Sequence, residues 1–554
     1  MVALGRDRRT CTVAFAAAAA ALLALNMAWS YFLGQYRTMY DNPVYRWRES
    51  MVIALSELQT VPSRGYVGYR SIKNYLALHG LGLGMSDEPG PPASNEDITK
   101  LVYDAPRLEQ LLREARGTSI DRSLPPVRLA GSDPGQIDFY YWAFRLFGLN
   151  LAALWKTYFL ILAVAGALFF IQFRRSPFCL LMLLLYLIAH LVMVSYSVLP
   201  YIVTVHNTRF FPVLAMLPAM HLLLLIQRRE GLSWASAGIA AVQTFILFFA
   251  VFCRFTAMWE PAAVVASAAL VTPFSFGWRT LRHGGGVVKA GRGLFSAWPA
   301  AIVLLGLAGL YGYHAVAFDK TAYATEMETH VLWAPLYSGT VEVSPQLQAL
   351  RTEGSDLNSD GLVAIAVLRY LREHNIENSP ITFLDGGVMR IEPKRNMGVF
   401  DGLARKAFFE LAKKYPWLVL KSFLMDKPRA QLQLLYDLPQ SGLAQATTAA
   451  ARQRVALVFG GSVWPWLMPA LLAIGAGGLA ALCDVDRAQR AAFVRALVVV
   501  ALVAVFSAVT TIVEPSPLIL DTVLYFVLLV LFLIAYVPIF LITALRRRSR
   551  SVPT

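Results

Sequence analysis

The chain has 554 residues, 57% of them hydrophobic and 15% charged, with a mean hydropathy of +0.52. That is more apolar surface than one soluble core can hide, which excludes an ordinary globular enzyme and a disordered chain and leaves a polytopic membrane protein. The formal net charge of +15 does not indicate a nucleic-acid binder, because the Lys and Arg punctuate apolar runs and form no basic stripe interleaved with aromatics.

A hydrocarbon core about 30 Å thick requires about 20 apolar residues per helix. Ten stretches approach that length: Cys11 to Leu33, Leu151 to Phe173, Cys179 to Leu199, Phe210 to Ile226, Ser233 to Cys253, Pro261 to Phe276, Trp298 to His314, Val455 to Leu482, Phe493 to Val513 and Leu518 to Leu541. Threaded alternately, they gather Arg6 to Arg9, Arg174 and Arg175, Arg228 and Arg229, Arg279 to Arg292, Arg487 to Arg490 and Arg546 to Arg550 on one side. Positive residues flanking spans mark the cytoplasm. Both termini are then cytoplasmic in a multi-pass protein of a bacterial-type inner membrane. The first span exceeds a signal-peptide core, and Met27 to Gln35 has no small-x-small cleavage pattern, so it reads as retained.

The expected fold class is therefore mainly α, a polytopic integral membrane protein of about ten transmembrane helices with a small mixed α/β extracytoplasmic module. Residues 1–314 form the membrane core, with a long first outer loop at 34–150. Residues 315–454 form the outer module, and 455–554 carry the C-terminal helices. Cys11, Cys179, Cys253 and Cys483 all lie at or inside spans, which implies no disulfide framework.

In the first outer loop, Asn42-Pro43 signals the start of an amphipathic, interfacial helix through VYRWRESMVIALSEL. A Pro/Gly-rich loop containing Asp87-Glu88 follows, then a helix near Ala105 to Ala115 and the turn SDPG. The aromatic stretch Ile137 to Gly148 leads into the second span, as suits a membrane interface. In the outer module, Ser379 to Met389 is strand-like. The run from Gly402 through FFELAKKYPWLVLKSFLMDKPRAQLQLL mixes cations with Phe, Trp and Leu in the manner of an in-plane interfacial helix.

Asp356, Asn358, Asp360 and Gly361 have the opening spacing of an EF-hand loop. A complete loop needs a bidentate Glu at position twelve, where this chain has Val367, and Ala364 stands at position nine. The simpler reading is a turn in which Ser359 or Asp360 caps a helix over Leu362 to Glu373. Asp484 and Asp486 make a DxD in a turn too short to hold a nucleotide, so they read as a solvated cap, and no metal site is assigned. P-loop, GxGxxG, HExxH, GxSxG and paired CxxC signatures are absent from the sequence.

His206 and Arg209 stand at the outer mouth of a span containing Pro212 and Pro218. An arginine there suits bidentate grip of a lipid phosphate, or anchorage to head groups. Arg254, beside Trp259 and Glu260, occupies the next outer turn and suits the same two roles. His190 and His221 lie within apolar spans, where ionisable groups are functional suspects or bond a neighbouring helix.

The order of parts resembles the GT-C superfamily of polytopic glycosyltransferases, including uncharacterised bacterial members. The likeness rests on one initial span, a long outer loop, the lead-in LFGLNLAALW at Leu146 to Trp155, and the run H-x-x-R-F-F-P-V-L-x-x-L-P at His206 to Pro218. It covers roughly the first 280 residues in organisation. THVLWAPLYSG, Thr329 to Gly339, is similar to a stretch in the same bacterial relatives. The resemblance implies sugar transfer from a polyprenyl-phosphate donor to an extracytoplasmic glycan, lipid or protein. By position it makes Asp41 the general base, with Asp138 as second choice, while His206, Arg209 and Arg254 hold the lipid phosphate. Asp41 equally suits capping of the following helix, and Asp138 a helix N-terminal charge.

His330, Trp333 and Tyr337 suit sugar or acceptor contact, or an aromatic cluster joining the outer module to the membrane domain. A divalent cation is left open as a cofactor, and the oligomeric state is undetermined. A transporter or flippase of a lipid-linked envelope intermediate and a non-enzymatic membrane scaffold are the competing functions. The two large outer segments and the lack of internal repeats weigh against the transporter.

Overall fold

The computed structural model describes residues 8–34, 44–59, 68–82, most of 89–124, 134–196, 210–228, 231–269, 297–317, 332–349, 359–376, 381–383, 389–391, 393–430, 464–483 and 520–550. It is mostly helical. Five helices are long and apolar enough to cross a membrane, with such stretches at Arg9–Tyr31, Ala152–Phe173, Pro177–Val194, Phe211–Arg228 and Trp234–Cys253. Three shorter apolar helical stretches are Trp298–Tyr313, Leu467–Cys483 and Val527–Ile542. Of the other expected spans, Phe493 to Val513 lies outside the described residues, and Pro261 to Phe276 is described only to residue 269.

In chain order, the N-terminal half has α1 (Arg8–Gly34), α2 (Val44–Gln59), α3 (Tyr69–Leu76), α4 (Ala105–Arg116), α5 (Pro134–Phe147), α6 (Leu151–Phe173), α7 (Pro177–Tyr196), α8 (Phe211–Arg228), α9 (Trp234–Cys253) and α10 (Trp298–Ala317). Next come α11 (Trp333–Glu342), α12 (Ser359–Glu373), β1 (Ile381–Phe383), β2 (Met389–Ile391), α13 (Pro393–Lys414), α14 (Pro416–Lys421), α15 (Trp464–Cys483) and α16 (Leu520–Arg550).

Local chemistry sets several boundaries. Asp104 caps α4 by accepting from the Arg107 amide at 3.2 Å. Gly148, at φ +88°, ends α5 in a conformation that a Cβ disfavours. Two residues on, Asn150 starts α6 by accepting from the Ala153 amide at 2.9 Å. The LNSDG stretch reads as a helix start: α12 begins at Ser359, while Asp356 and Asn358 lie outside the described residues.

Helices α7 and α8 form the centre of the bundle, with 94% and 89% of their apolar windows buried, whereas α1 lies at the edge with 22%. The helices share an axis direction that brings arginines together at one end. There the Thr12 hydroxyl donates to the Arg174 carbonyl at 3.4 Å, and Arg228 donates to Cys179 Sγ at 3.2 Å. Cys11 and Cys483 also meet at this end as a disulfide with a Cα–Cα separation of 5.7 Å. This corrects the sequence expectation of no disulfide: the partners are 472 residues apart, so only the packing of α1 beside α15 brings them together.

Glycines permit the closest helix contacts. A Cβ on Gly477 of α15 would collide with the Ala535 carbonyl of α16. One on Gly135, at the start of α5, would collide with the backbone of Phe252 and Cys253 at the end of α9. The Cys253 thiol also donates to the Gly135 carbonyl at 3.1 Å.

The segment before α6 folds as a cap of helices at the end opposite the arginines. Here α2 departs from the interfacial helix expected: Met51 to Glu57 are all buried, under α5 on one side and α3 and α4 on another. Tyr75 of α3 and Gln110 donate to the Glu114 carboxylate, each at 2.9 Å. The Gln110 bond and then the Tyr75 bond hold that carboxyl below the usual range.

The helices of residues 332–430 have cores of their own. Val363, Ala364, Val367 and Leu371 of α12 pack on Phe400, Leu403 and Ala404 of α13. Val341, Leu347, Phe408 and Val419 form a second cluster. Strands β1 and β2 pair antiparallel with Ile381 opposite Ile391, a short hairpin where a strand was expected.

Gly477→Ala should lower the thermal unfolding midpoint in detergent, at a cost of about 1–3 kcal/mol for overpacking. Gly475→Ala, whose Cβ would meet nothing within 4 Å, is the matched control and should leave the midpoint unchanged or raise it.

Candidate functional site

Four elements of the bundle converge on His190, which is fully buried in α7. Its Nδ1 lies 2.8 Å from Asn26 Oδ1 of α1, and its Nε2 lies 2.9 Å from the Tyr158 hydroxyl of α6. The Asn26 amide nitrogen donates to the Leu22 and Leu187 carbonyls at 2.8 and 2.9 Å, so its oxygen is the atom left to face His190. That assigns the proton of neutral His190 to Nδ1 and makes Nε2 the acceptor for Tyr158. Tyr158 Oη also lies 3.4 Å from the carbonyl of Phe210, directly before α8. Asn26, His190 and Tyr158 each sit about 9–12 Å in from the same end of the bundle, by the 1.5 Å rise per residue.

A second tyrosine serves α8 itself. Pro218 removes one rung of its ladder. The Tyr186 hydroxyl donates to the Val213 carbonyl at 2.8 Å, one residue before the carbonyl that loses its donor. Deeper in, His221 Nδ1 lies 3.4 Å from the Gln243 amide nitrogen, which donates to the Ala165 carbonyl at 2.9 Å. The rings of Phe169 and Phe173 flank His221.

At the end opposite the arginines, Asp138 of α5 is buried, and its Oδ2 accepts from the Tyr313 hydroxyl of α10 at 3.1 Å. Asp138 lies one turn along α5 from Gly135, whose backbone touches Phe252 and Cys253. Arg254 is the C-cap of α9 at that same place, and the Tyr313 ring packs on Phe252 at 6.0 Å. Asp138, Tyr313 and Arg254, residues of three sequence-remote segments, thus come to one helix end. Glu260, six residues after Arg254, is fully buried. The adjacent Trp259 ring packs on Tyr525 of α16 at 5.1 Å.

The predicted residues are distributed unevenly over the structure. Asp138 and Arg254 come to the same end of α9, while Asp41, His206, Arg209 and His330 lie outside the described residues. Trp333 and Tyr337 are half-buried in α11. The Trp333 ring packs on Phe408 and Phe409 at 5.8 and 5.2 Å, a contact within the 332–430 helices.

The start of α11 is held by a residue that the sequence did not single out. Asp401 of α13 accepts from the amides of Trp333 at 2.8 Å, Ala334 at 2.9 Å and Leu332 at 3.3 Å. It caps a helix 68 residues earlier in the chain, and local pattern reading has no signal for such a cap. Among the described residues no group of three or more His, Cys, Asp or Glu side chains is arranged to hold a metal ion.

No protein-family model, no curated protein and no solved structure matches the chain.

Replacing His190 with Leu removes a partner from both Asn26 and Tyr158 and should cost about 1–3 kcal/mol, the penalty for stranded buried polar groups. Thermal unfolding in detergent checks this, and His190→Gln should recover part of the loss. Asp401→Ala removes the acceptor of three backbone N–H hydrogen bonds at the start of α11 and should cost about 1–2 kcal/mol. Limited proteolysis should then cut residues 332–349 faster than in the wild type.

Proposed function

We propose that the protein is a membrane glycosyltransferase that moves a sugar from a polyprenyl-phosphate donor to an extracytoplasmic glycan, lipid or protein. The observation that carries this reading is the buried Asp138 carboxylate beside the helix end capped by Arg254, at the end of the apolar bundle away from its arginine-rich pole. The GT-C-like order of parts supports it from the sequence side. Under this reading the bundle has about ten spans in a bacterial-type inner membrane. Its arginine-rich pole and both termini are cytoplasmic, and a small α/β module at 315–454 lies outside.

In the reaction, the acceptor hydroxyl oxygen forms a bond to the anomeric carbon as the carbon–oxygen bond to phosphate breaks. The electron pair leaves with the polyprenyl phosphate, and the hydroxyl proton passes to a carboxylate. Asp41 is the first assignment for that base and Asp138 the second. Tyr313, by donating to Oδ2 of Asp138, helps to fix the orientation of the carboxylate. Arg254, with His206 and Arg209, stabilises the departing phosphate, a task suited to the planar guanidinium fork. His330, Trp333 and Tyr337 remain assigned to the sugar or acceptor.

Purified protein incubated with a panel of radiolabelled polyprenyl-phosphate sugars should transfer label to an envelope acceptor. Asp41→Asn or Asp138→Asn should reduce transfer by roughly a hundredfold or more, the scale of a lost general base. Whichever variant collapses identifies the base. Arg254→Lys keeps the charge and loses the fork, so it should also reduce transfer. A folded wild type that transfers from no donor overturns the reading in favour of a transporter or scaffold.

A further inference from the structure

The sequence suggests one long interfacial helix after Gly402, but the structure divides that run into two parts with different surroundings. Helix α13 points Phe400, Leu403, Ala404 and Phe408 into the cores of the outer helices, so it is not free to lie in a membrane plane. At Tyr415-Pro416 the chain breaks and restarts as α14, continued by one wider turn over Ser422–Asp426. Among the described residues, this second part is anchored along one side. Val419 and Ser422 are buried, the Ser422 hydroxyl donates to the Thr340 carbonyl at 2.9 Å, and Lys421 donates to Gln346 Oε1 at 2.9 Å.

The other side presents Trp417, Leu420, Leu424 and Met425, exposed by 72, 46, 68 and 62%. Their spacing of three, four and eight residues from Trp417 and Leu420 sets them along one stripe. Lys413, Lys414 and Arg429 flank that stripe as exposed cations, and Asp426 is the one carboxylate between Lys413 and Arg429. An apolar stripe with an indole at one end and cations before and after it in the chain matches the boundary between anionic head groups and acyl chains. The tether agrees: between Ala317, the end of apolar helix α10, and Leu332, the chain reaches at most about 50 Å when fully extended.

We infer that residues 416–426 form a membrane foot, whose Trp417, Leu420, Leu424 and Met425 dock on the anionic surface of the bilayer that holds the bundle. The foot holds the outer helices against the leaflet. This holds for any function of the protein and does not rest on sugar transfer.

The test uses the full-length protein in lipid nanodiscs, with an environment-sensitive fluorophore on Leu424→Cys. The native Cys179 and Cys253 are buried, and Cys11 and Cys483 are paired. The label should emit to the blue of its aqueous value and lose roughly half its emission or more to lipids brominated high on the acyl chain, as for a group 5–10 Å into the boundary. Combined Lys413→Gln, Lys414→Gln and Arg429→Gln changes, or wholly zwitterionic lipid, should reduce that quenching. Trp417→Cys provides a second label site should Leu424→Cys fold poorly. A label quenched by aqueous iodide and not by brominated lipid overturns the inference. So does a blue-shifted label insensitive to both, since protein would then cover the stripe.

Discussion

A polar group inside a bilayer has no water to replace a lost partner, so the hydrogen bonds of His190 decide which helices meet and at what height. Asn26 must face His190 because its amide nitrogen is already committed to the Leu22 and Leu187 carbonyls. Tyr158 must then donate to the nitrogen that remains. These bonds fix α1, α6 and α7 in register, and Tyr158 reaches the carbonyl of Phe210 at the entry to α8. Sliding any one of these helices by a turn would strand two or three buried polar atoms. Apolar side chains alone, which pack nearly as well one turn away, give no such register.

The mouth of the bundle depends on a different device, close backbone approach. Because Gly135 has no side chain, α5 can rest on the end of α9, and this carries Asp138 to the place where Arg254 caps that helix. Gly306 similarly lets α10 lie against Thr244 and Phe248 of α9, and the same helix then delivers Tyr313 to Asp138. Two missing side chains thus bring Asp138 and Tyr313 together at the helix end where Arg254 stands. The same geometry explains the burial of Met51 to Glu57: with α5 seated on the bundle, this part of α2 packs beneath α5, α3 and α4.

In the outer helices a single carboxylate does the organising. Asp401 satisfies three amides at the start of α11, which a leucine at the N-cap position cannot do. The clamp holds α11 against α13, so Trp333 packs on Phe408 and Phe409. Once α13 is committed to that core, the break at Pro416 frees the next turn to face outward with a different composition.

The sequence by itself determined the helical membrane class, through the length of its apolar runs, and many element boundaries, through local signals: Asn150 before α6, Gly148 after α5, Asp104 before α4. It also flagged His190, because an ionisable residue in an apolar run stands out, and it placed Asp138 and Arg254 at the ends of their elements. Their gathering at one end of α9 was decided only by tertiary structure, since Gly135 and Tyr313 act across more than a hundred residues. Asn26 and Tyr158 read as ordinary members of apolar spans until helix packing set them at one depth beside His190. The Cys11–Cys483 pair, the Asp401 cap and the burial of α2 were hidden for the same reason. Local patterns report what neighbours along the chain require, whereas each of these features answers a partner brought near only by the fold.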